Sequence, residues 1–395
     1  MDFDILISGG GIAGMTAAAA FGRAGFSVLI VDPAPPVTER DAEGADLRTT
    51  AFLQPARAFL DRAGLWDRLA DHATPLQVMR IADASQSPPV TRDFDASDIS
   101  DLPFGWNLPN WLLRREMAAA LGAMPGVDYR PGTATTSLFT RTGEARVGLS
   151  DGSRVKVRLV IAADGRGSPM RQAAGIGVKT TRYCQKALAF AVTHDAPHGN
   201  VSTEVHRAGG PFTLVPLPDH DGRPSSAVVW MMEARAAERR AALDVATFEA
   251  EMTDRSAGLY GPLRLASKRN LWPIITQGAD RLTAQRLALV AEAAHVMPPI
   301  GAQGLNMSLR DLETLLDLAV AAPERLGDQP MLDAYEKARG PDIHLRMSGI
   351  SALNRASMQG APVLQAARSR GLSLLHDLAP VRRSVMELGL GAKAR

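Results

Sequence analysis

Three glycines near the amino terminus are spaced as in a phosphate-binding turn. Gly9, Gly11 and Gly14 form G-x-G-x-x-G within "MDFDILISGGGIAGMTAAAAFGRAGFSVLIVDP", after an apolar strand pattern and at the start of an alanine-rich helix pattern. The first glycine permits a tight turn, the second lets a pyrophosphate approach the backbone, and the third lets helix and strand pack closely. Unpaired N–H groups around Ile12 and Ala13, together with the helix dipole, would favour a bound phosphate.

A carboxylate follows at the position that this chemistry requires. Asp32 ends the next predicted strand, where it would accept hydrogen bonds from ribose hydroxyls. A glycine turn that serves only packing is the alternative, but the intact strand, turn, helix and strand favour a dinucleotide site.

A second run of small residues lies near residue 300. The stretch "AEAAHVMPPIGAQGLNMSLRD" precedes a long amphipathic helix pattern, which predicts a second helix N-terminus suited to an anion. Prolines would stiffen the approach, and small side chains would let backbone N–H groups come close to a flat ring. A nicotinamide enzyme needs only the first site, whereas a flavin that becomes an anion on reduction gains from both.

Strand and helix patterns around these motifs predict an α/β protein with more than one domain. Residues 1–75, 97–175 and 277–325 are expected to form one discontinuous Rossmann-like nucleotide-binding domain. Alternating segments in 76–96 and 176–276 predict a second, mostly antiparallel β-sheet domain for the substrate. Residues 326–395 are expected to form a C-terminal helical region.

Composition excludes several classes of function. The chain has 395 residues, a net charge of +2 and 22% charged residues, so no nucleic-acid partner is expected. Its single cysteine, Cys184, excludes an internal disulfide, fits a reducing cytoplasm and is expected to be a small buried hydrophobic residue. No apolar run is long enough for a membrane span, no export signal is visible, and no metal centre is expected.

The chain closely resembles the class A flavoprotein monooxygenases, and within them the aromatic hydroxylases of ubiquinone biosynthesis. The stretches that carry the likeness are "GGGIAG", "DLRTTAFLQPARAFLDRAGLW", "AADGRGSPMRQAAGI", "AEAAHVMPPIGAQGLNMSLRD" and the terminal "PVRRSVMELGLG". They extend over nearly the full length, and their combination is far more specific than any single motif. The resemblance implies an FAD-binding domain of the p-hydroxybenzoate hydroxylase type (GR2).

The same resemblance implies roles for individual residues. Arg48 and Arg114 would contact FAD, although residue type alone favours a solvated face for Arg48, because arginine is usually exposed. Asp164 and Gly165 would belong to the motif that serves FAD and NAD(P)H, and Glu292 would face the ribityl chain. The residues expected around the flavin ring are Pro299, Gln303, Gly304, Leu305 and Asn306.

Two departures from the family pattern fall in the second motif. Ala291-Glu292 replaces the usual Gly-Asp, and Ala302-Gln303-Gly304 replaces the usual Gly-Gln-Gly. Glutamate keeps the carboxylate but adds a methylene, and Ala302 restricts the backbone if that position needs a positive φ angle. We expect both changes to tune FAD affinity rather than abolish binding.

The resemblance implies that NAD(P)H reduces FAD and that O2 is then used to hydroxylate a prenylated phenol in ubiquinone biosynthesis. Two alternatives remain at this stage: a flavin hydroxylase of a soluble aromatic or secondary metabolite, and a non-catalytic assembly partner in a biosynthetic complex, which the alanine replacements would motivate. The apolar and basic stretch 367–386 suggests peripheral contact with the inner face of the membrane, with a solvated helical hairpin as the alternative.

No catalytic side chain can be assigned from the pattern. His295 lies beside the second motif and could act as a base, but a packed or supporting histidine is the more common case. Met297, Met307 and Met347 could line an apolar substrate cavity or simply fill the core.

Overall fold

The computed structural model describes residues 1–85, 88–358 and 377–390. Strands and helices alternate through its first part. In chain order they are β1 (Ile5–Ser8), α1 (Ile12–Arg23), β2 (Val28–Asp32), β3 (Thr49–Leu53), α2 (Gln54–Arg62), α3 (Trp66–Leu69), β4 (Thr74–Leu76), β5 (Val78–Asp83), β6 (Val90–Asp95), β7 (Gly105–Pro109) and α4 (Asn110–Gly122).

Strands dominate the middle of the chain and helices its end. The middle elements are β8 (Val127–Pro131), β9 (Thr135–Thr140), β10 (Ala145–Leu149), β11 (Arg154–Val157), β12 (Leu159–Ala162), α5 (Pro169–Ala173), β13 (Val178–Thr193), β14 (Val201–Arg207), β15 (Gly210–His220), β16 (Arg223–Glu233), α6 (Ala234–Ala241) and α7 (Val245–Arg255). The last elements are β17 (Arg264–Leu265), β18 (Asn270–Ala279), β19 (Thr283–Ala284), β20 (Leu287–Leu289), β21 (His295–Val296), α8 (Gln303–Ala321), α9 (Gln329–Ser357) and α10 (Ala379–Leu390).

A largely parallel sheet brings the amino-terminal motifs together. Its strand order is β19-β20-β12-β1-β2-β8, and β1 pairs in parallel with both β2 and β12. Every residue of β1 and β12 is buried, as expected for apolar strands covered on both faces by other elements. Because carboxyl ends of parallel strands lie at one edge, the residues that follow β1, β2 and β12 meet there.

The second large sheet is mostly antiparallel. It has the order β21-β18-β13-β16-β15-β14-β5-β6, with β17 paired to β13. The hairpin β5–β6 joins this sheet through parallel pairing of β5 with β14, while the other pairings are antiparallel. The predicted combination of a Rossmann-like unit, an antiparallel sheet and C-terminal helices is confirmed.

Long helices pack the carboxyl-terminal part against the parallel sheet. Helix α8 contacts both α1 and α9, and its buried leucines join the main hydrophobic core. Within the ranges 1–85, 88–358 and 377–390, no helix is long and apolar enough to cross a membrane.

The final helix lies against the antiparallel sheet. Met386 of α10 is buried against Phe94 and Ile99, and Arg382 Nε donates to Asp98 Oδ2 at 2.9 Å. Of the stretch predicted to contact the membrane, residues 367–376 lie outside the described residues.

The prediction that Cys184 is buried was wrong. The thiol is exposed, and the residue has a φ angle of +55° where the β13–β18 register shifts between Arg182 and Gln185. A bulge of this kind interrupts the alternation of inward and outward side chains, so sequence pattern alone does not place the residue.

Candidate functional site

The glycine turn between β1 and α1 is tightly built at two positions and open at the third. A Cβ atom on Gly9, where φ is +109°, would collide with the Ala163 carbonyl oxygen, and one on Gly14 would collide with the carbonyl oxygen of Gly9. A Cβ on Gly11 would have nothing within 4 Å. The turn therefore needs two glycines for its own packing and leaves space at Gly11, where a phosphate would have to approach.

Helix α1 begins at this open position. Gly11 is its N-cap, no side chain caps it, and its first turn contains no acidic residue. The first N–H groups of a helix lack partners within the helix, so they are available to an anion.

Asp32 is fixed at the end of β2 beside the glycine turn. Its Oδ2 accepts from Gly10 N at 2.7 Å, and its Oδ1 accepts from Ala34 N at 2.9 Å. These bonds orient the carboxylate, and each oxygen retains capacity to accept from a hydroxyl.

Arg48 and Arg114 meet at a buried acid that the sequence reasoning missed. Asp46 is 7% exposed and accepts from Arg48 Nε at 2.8 Å and Arg48 Nη2 at 2.7 Å. Asn110 Nδ2 donates to the same carboxylate at 3.0 Å, and Arg114 Nη2 lies 3.8 Å away. The short Asp-x-Arg spacing just ahead of β3 is a signal that could have indicated this pair.

Charge balance keeps this cluster ionised. Burial alone would raise the pKa of Asp46, but hydrogen bonds from Arg48 and Asn110 and the neighbouring positive charges lower it. Arg48 also stacks on Trp272, with its guanidinium carbon 4.0 Å from the ring centroid. The guanidinium is therefore held in one orientation rather than lying free on a solvated face.

Asp164 follows β12 at the same sheet edge. Its Oδ2 accepts from Ser8 Oγ and from Met170 N, both at 3.2 Å, while its buried Oδ1 has no hydrogen-bond partner in the structure. Burial raises the pKa of this carboxyl, since the hydrogen bonds do not offset the loss of water. Gly165, with φ of +80°, turns the chain toward α5.

Both alanines that depart from the family pattern adopt the left-handed conformation. Ala291 has φ of +54°, and Ala302, the N-cap of α8, has φ of +55°. These positions therefore use the backbone geometry that glycine adopts most easily. The exposed Glu292 follows Ala291 in the chain. Burial alone would lower the pKa of Arg48, but the hydrogen bonds and charge of Asp46 and the charge of Glu292 raise it.

The start of α8 is attached to β3 through Asn306. Its Oδ1 accepts from Leu53 N at 2.8 Å, and its Nδ2 donates to the carbonyl oxygens of Ala51 at 2.7 Å and Ala302 at 2.6 Å. Both ends of the amide are thus engaged in positioning the helix. The neighbouring predicted positions are exposed or half-buried: Pro299, Gln303, Gly304 and Leu305.

His295 is part of the core rather than of an open pocket. It is 2% exposed, and its Nε2 lies 2.6 Å from Asp311 Oδ2. Met307 is buried in the main core, whereas Met297 and Met347 are only partly buried against it. Among residues 1–85, 88–358 and 377–390, no group of three or more His, Cys, Asp or Glu side chains could hold a metal ion.

The chain that carries these features matches a defined protein family. The model of the FAD binding domain family matches residues 2–345. The chain belongs to this family. Together with the relatives described next, this match shows that the chain is an FAD-dependent monooxygenase with FAD as its cofactor and NAD(P)H as the electron donor typical of the class.

Relatives of this FAD-binding chain match it over almost its whole length. A protein named ubiquinone hydroxylase UbiL, from Rhodospirillum rubrum, is 33% identical over 98% of this chain and 89% of its own length. A 3-demethoxyubiquinol 3-hydroxylase from Escherichia coli is 26% identical over 98% of both chains. The structure of p-nitrophenol 4-monooxygenase PnpA from Pseudomonas putida DLL-E4 superposes with a TM-score of 0.81 at 19% identity, covers 99% of each chain and shows the shared fold.

Proposed function

We propose that this chain is a ubiquinone-biosynthesis hydroxylase that uses NAD(P)H and O2 to hydroxylate a prenylated phenol. The observation that carries the proposal is its similarity to the Rhodospirillum rubrum ubiquinone hydroxylase over 98% of the chain. The geometry supports it, since Asp32 beside the glycine turn and Arg114 beside Asp46 both act on the half-buried Tyr129, whose pKa is raised mainly by burial. Leu53 at the end of β3 binds Asn306 near the start of α8.

FAD would be held by groups from several separate segments of the chain. When bound, it supplies the electron transfer and O2 activation that no side chain provides. The N–H groups at the start of α1 would bind the pyrophosphate, Asp32 would bind ribose, and the open N-terminus of α8 would stabilise negative charge on the ring. The residues proposed to contact FAD are Gly9, Gly11, Ile12, Ala13, Gly14, Asp32, Arg48, Arg114, Asp164, Gly165, Glu292, Pro299, Gln303, Gly304, Leu305 and Asn306.

Two unpartnered polar atoms support a polar ligand at these positions. Asp164 Oδ1 and Arg114 Nε are both buried and have no hydrogen-bond partner within the described structure. Buried polar atoms are normally paired, so a ligand that hydrogen-bonds to them would relieve their cost. A ribityl or ribose hydroxyl and a phosphate oxygen have the required chemistry.

Matched glycine variants test the pyrophosphate site. Gly11→Ala adds a methyl to open space, so the apoprotein should melt as the wild type while FAD affinity falls by about tenfold or more, since the methyl occupies the phosphate position. Gly14→Ala collides with the Gly9 carbonyl and should destabilise the fold itself. Fluorescence titration with FAD and thermal melting separate the two effects. Unchanged FAD affinity in Gly11→Ala would contradict the assignment.

The substrate class is tested by product mass. The purified protein, NADPH, O2 and a short-chain prenylphenol should give a product heavier by one oxygen atom, with phenol lacking the prenyl chain as the matched control. Preference for the unprenylated phenol would favour a hydroxylase of soluble aromatics. Consumption of NADPH without any oxygenated product would contradict hydroxylation of either substrate.

We further propose that the protein acts in the cytoplasm, at the inner face of the membrane. Leu345 and Leu353, which are 74% and 58% exposed, lie about two turns apart on α9 and could enter a lipid surface. Leu345→Ser/Leu353→Ser should reduce co-sedimentation with anionic phospholipid vesicles, whereas Val245→Ser, at a valine on α7 that is 52% exposed, should not. Membership of a biosynthetic complex is the last part of this proposal, and co-purification with other ubiquinone-pathway enzymes tests it.

A further inference from the structure

The proline loop, residues 296–302, is bounded at both ends by side chains that bind neighbouring helices. On the entry side, His295 Nε2 lies 2.6 Å from Asp311 Oδ2, and Asp311 Oδ1 accepts from Arg339 Nε at 2.8 Å. All three residues are at most 3% exposed. This end of the loop is therefore attached to α8 and α9 through a buried ionic contact.

The path continues along α9 and returns to the exit of the loop. Arg339 Nη1 donates to Asp342 Oδ2 at 2.8 Å, and Arg346 Nε donates to Asp342 Oδ1 at 2.9 Å. Arg346 Nη1 then donates to Gln303 Oε1 at 3.0 Å, at the first residue of α8. Contacts from His295 to Gln303 thus form an unbroken path that joins both ends of the loop.

The ionic part of this path is stable near neutral pH. Burial alone would raise the pKa of Asp342, but hydrogen bonds from Arg339 and Arg346 lower it. Each oxygen of the Asp342 carboxylate accepts from a different arginine, Oδ2 from Arg339 and Oδ1 from Arg346, so the orientation of the carboxylate is fixed. The path can therefore set where Gln303 lies relative to His295.

The loop itself has few internal means of holding its shape. Pro298 and Pro299 have no N–H groups to donate, and Ala302 is in the left-handed conformation without a side-chain cap. A backbone hydrogen bond from Ile300 N to Pro298 O is present within it. Support from outside the loop is consequently needed to keep one conformation.

We infer that Asp311, Arg339, Asp342 and Arg346 are positioning residues that preorganise the proline loop for FAD through His295 and Gln303. This role rests on the proposed function, because it assumes that the loop contacts the flavin. The buried end sets the entry of the loop, and the partly exposed Arg346, with 27% of its side chain accessible, sets the exit. A loop held in its binding conformation before the ligand arrives avoids an ordering cost on binding.

Arg346→Met is the test variant, because it removes the hydrogen bond to Gln303 at the end of the loop without creating a buried unpaired charge. We expect its apoprotein to melt close to the wild type, its FAD dissociation constant to rise by about tenfold, and the absorbance spectrum of its bound flavin to change. Arg346→Lys keeps the charge but lacks the planar guanidinium that donates to both Asp342 and Gln303, so it should give an intermediate affinity. Arg355→Met, at an exposed arginine on the same helix, is the matched control and should leave affinity and spectrum unchanged.

Asp342→Asn weakens the ionic contacts that Asp342 makes with Arg339 and Arg346, so it should also weaken FAD binding. An Arg346→Met protein with FAD affinity within twofold of wild type and an unchanged spectrum overturns the inference. Equal weakening by Arg346→Met and Arg355→Met also overturns it, since the effect would then be general charge loss. If the wild type itself does not bind FAD, the proposed function fails first, so the two failures are distinguishable.

Discussion

Ala302→Gly should stabilise the protein, because the structure places an alanine where the backbone has φ of +55°. Left-handed geometry costs a residue with a Cβ about 1–2 kcal/mol, and glycine avoids this cost. Glycine also loses more conformational freedom on folding than alanine does, which lowers the free energy of unfolding by about 0.5–1 kcal/mol. Ala302 is exposed, so no core contact is lost. The net expectation is a free energy of unfolding higher by about 0.5–1 kcal/mol.

Two comparison variants isolate the backbone effect. Gly301→Ala places a methyl on the neighbouring residue, where φ is +63° and the site is exposed, so by the same balance it should destabilise by about 0.5–1 kcal/mol. Ala291→Gly removes the same type of strain at φ of +54°, but Ala291 is only 7% exposed. Loss of its buried methyl, worth about 0.8 kcal/mol, should cancel most of the gain.

Thermal melting of the apoproteins is the assay, with denaturant unfolding as a second measure. For a chain of this size the gain in Ala302→Gly corresponds to a Tm higher by about 1 °C. Titration with FAD then shows separately whether the glycine also changes affinity. Equal or lower stability of Ala302→Gly, with Gly301→Ala also neutral, would refute the assignment of strain to this loop.

Three further outcomes follow from the structure. Asp164→Asn should raise the Tm of the apoprotein at pH 7, because the raised pKa of Asp164 means that ionisation there opposes folding, and it should weaken FAD binding in fluorescence titration. Asp46→Asn should lower stability at neutral pH. Because the pKa of Asp46 is lower in the folded state than in the unfolded state, its stabilising effect is lost as pH falls below about 3.8, so the difference from wild type should shrink there. Thermal melts at pH 7 and pH 3 would detect this change. Cys184 should react with a thiol reagent in the folded protein, with one equivalent per chain, and slow reaction that requires denaturant would contradict its exposure.

Local features of the site could be predicted from the sequence because they depend on residues close together in the chain. Glycine spacing within a strand–turn–helix unit determines the open turn at Gly11, and an acid at the end of the next strand places Asp32 beside it. Antiparallel patterning likewise predicted the second sheet. Family resemblance then assigned FAD, which the family match over residues 2–345 supports.

Tertiary structure decided the features that depend on residues far apart in sequence. Asp46 lies close to both Arg48 and Arg114 because β7, which Asn110 follows, pairs with β3. No local sequence pattern shows this pairing. A register shift turns Cys184 outward, and the path from His295 to Gln303 requires α8 and α9 to pack side by side. Short-range spacing thus determined which ligand the chain can bind. Burial and long-range strand pairing decided which side chains support that site, because burial and pairing arise only when distant segments come together and exclude water.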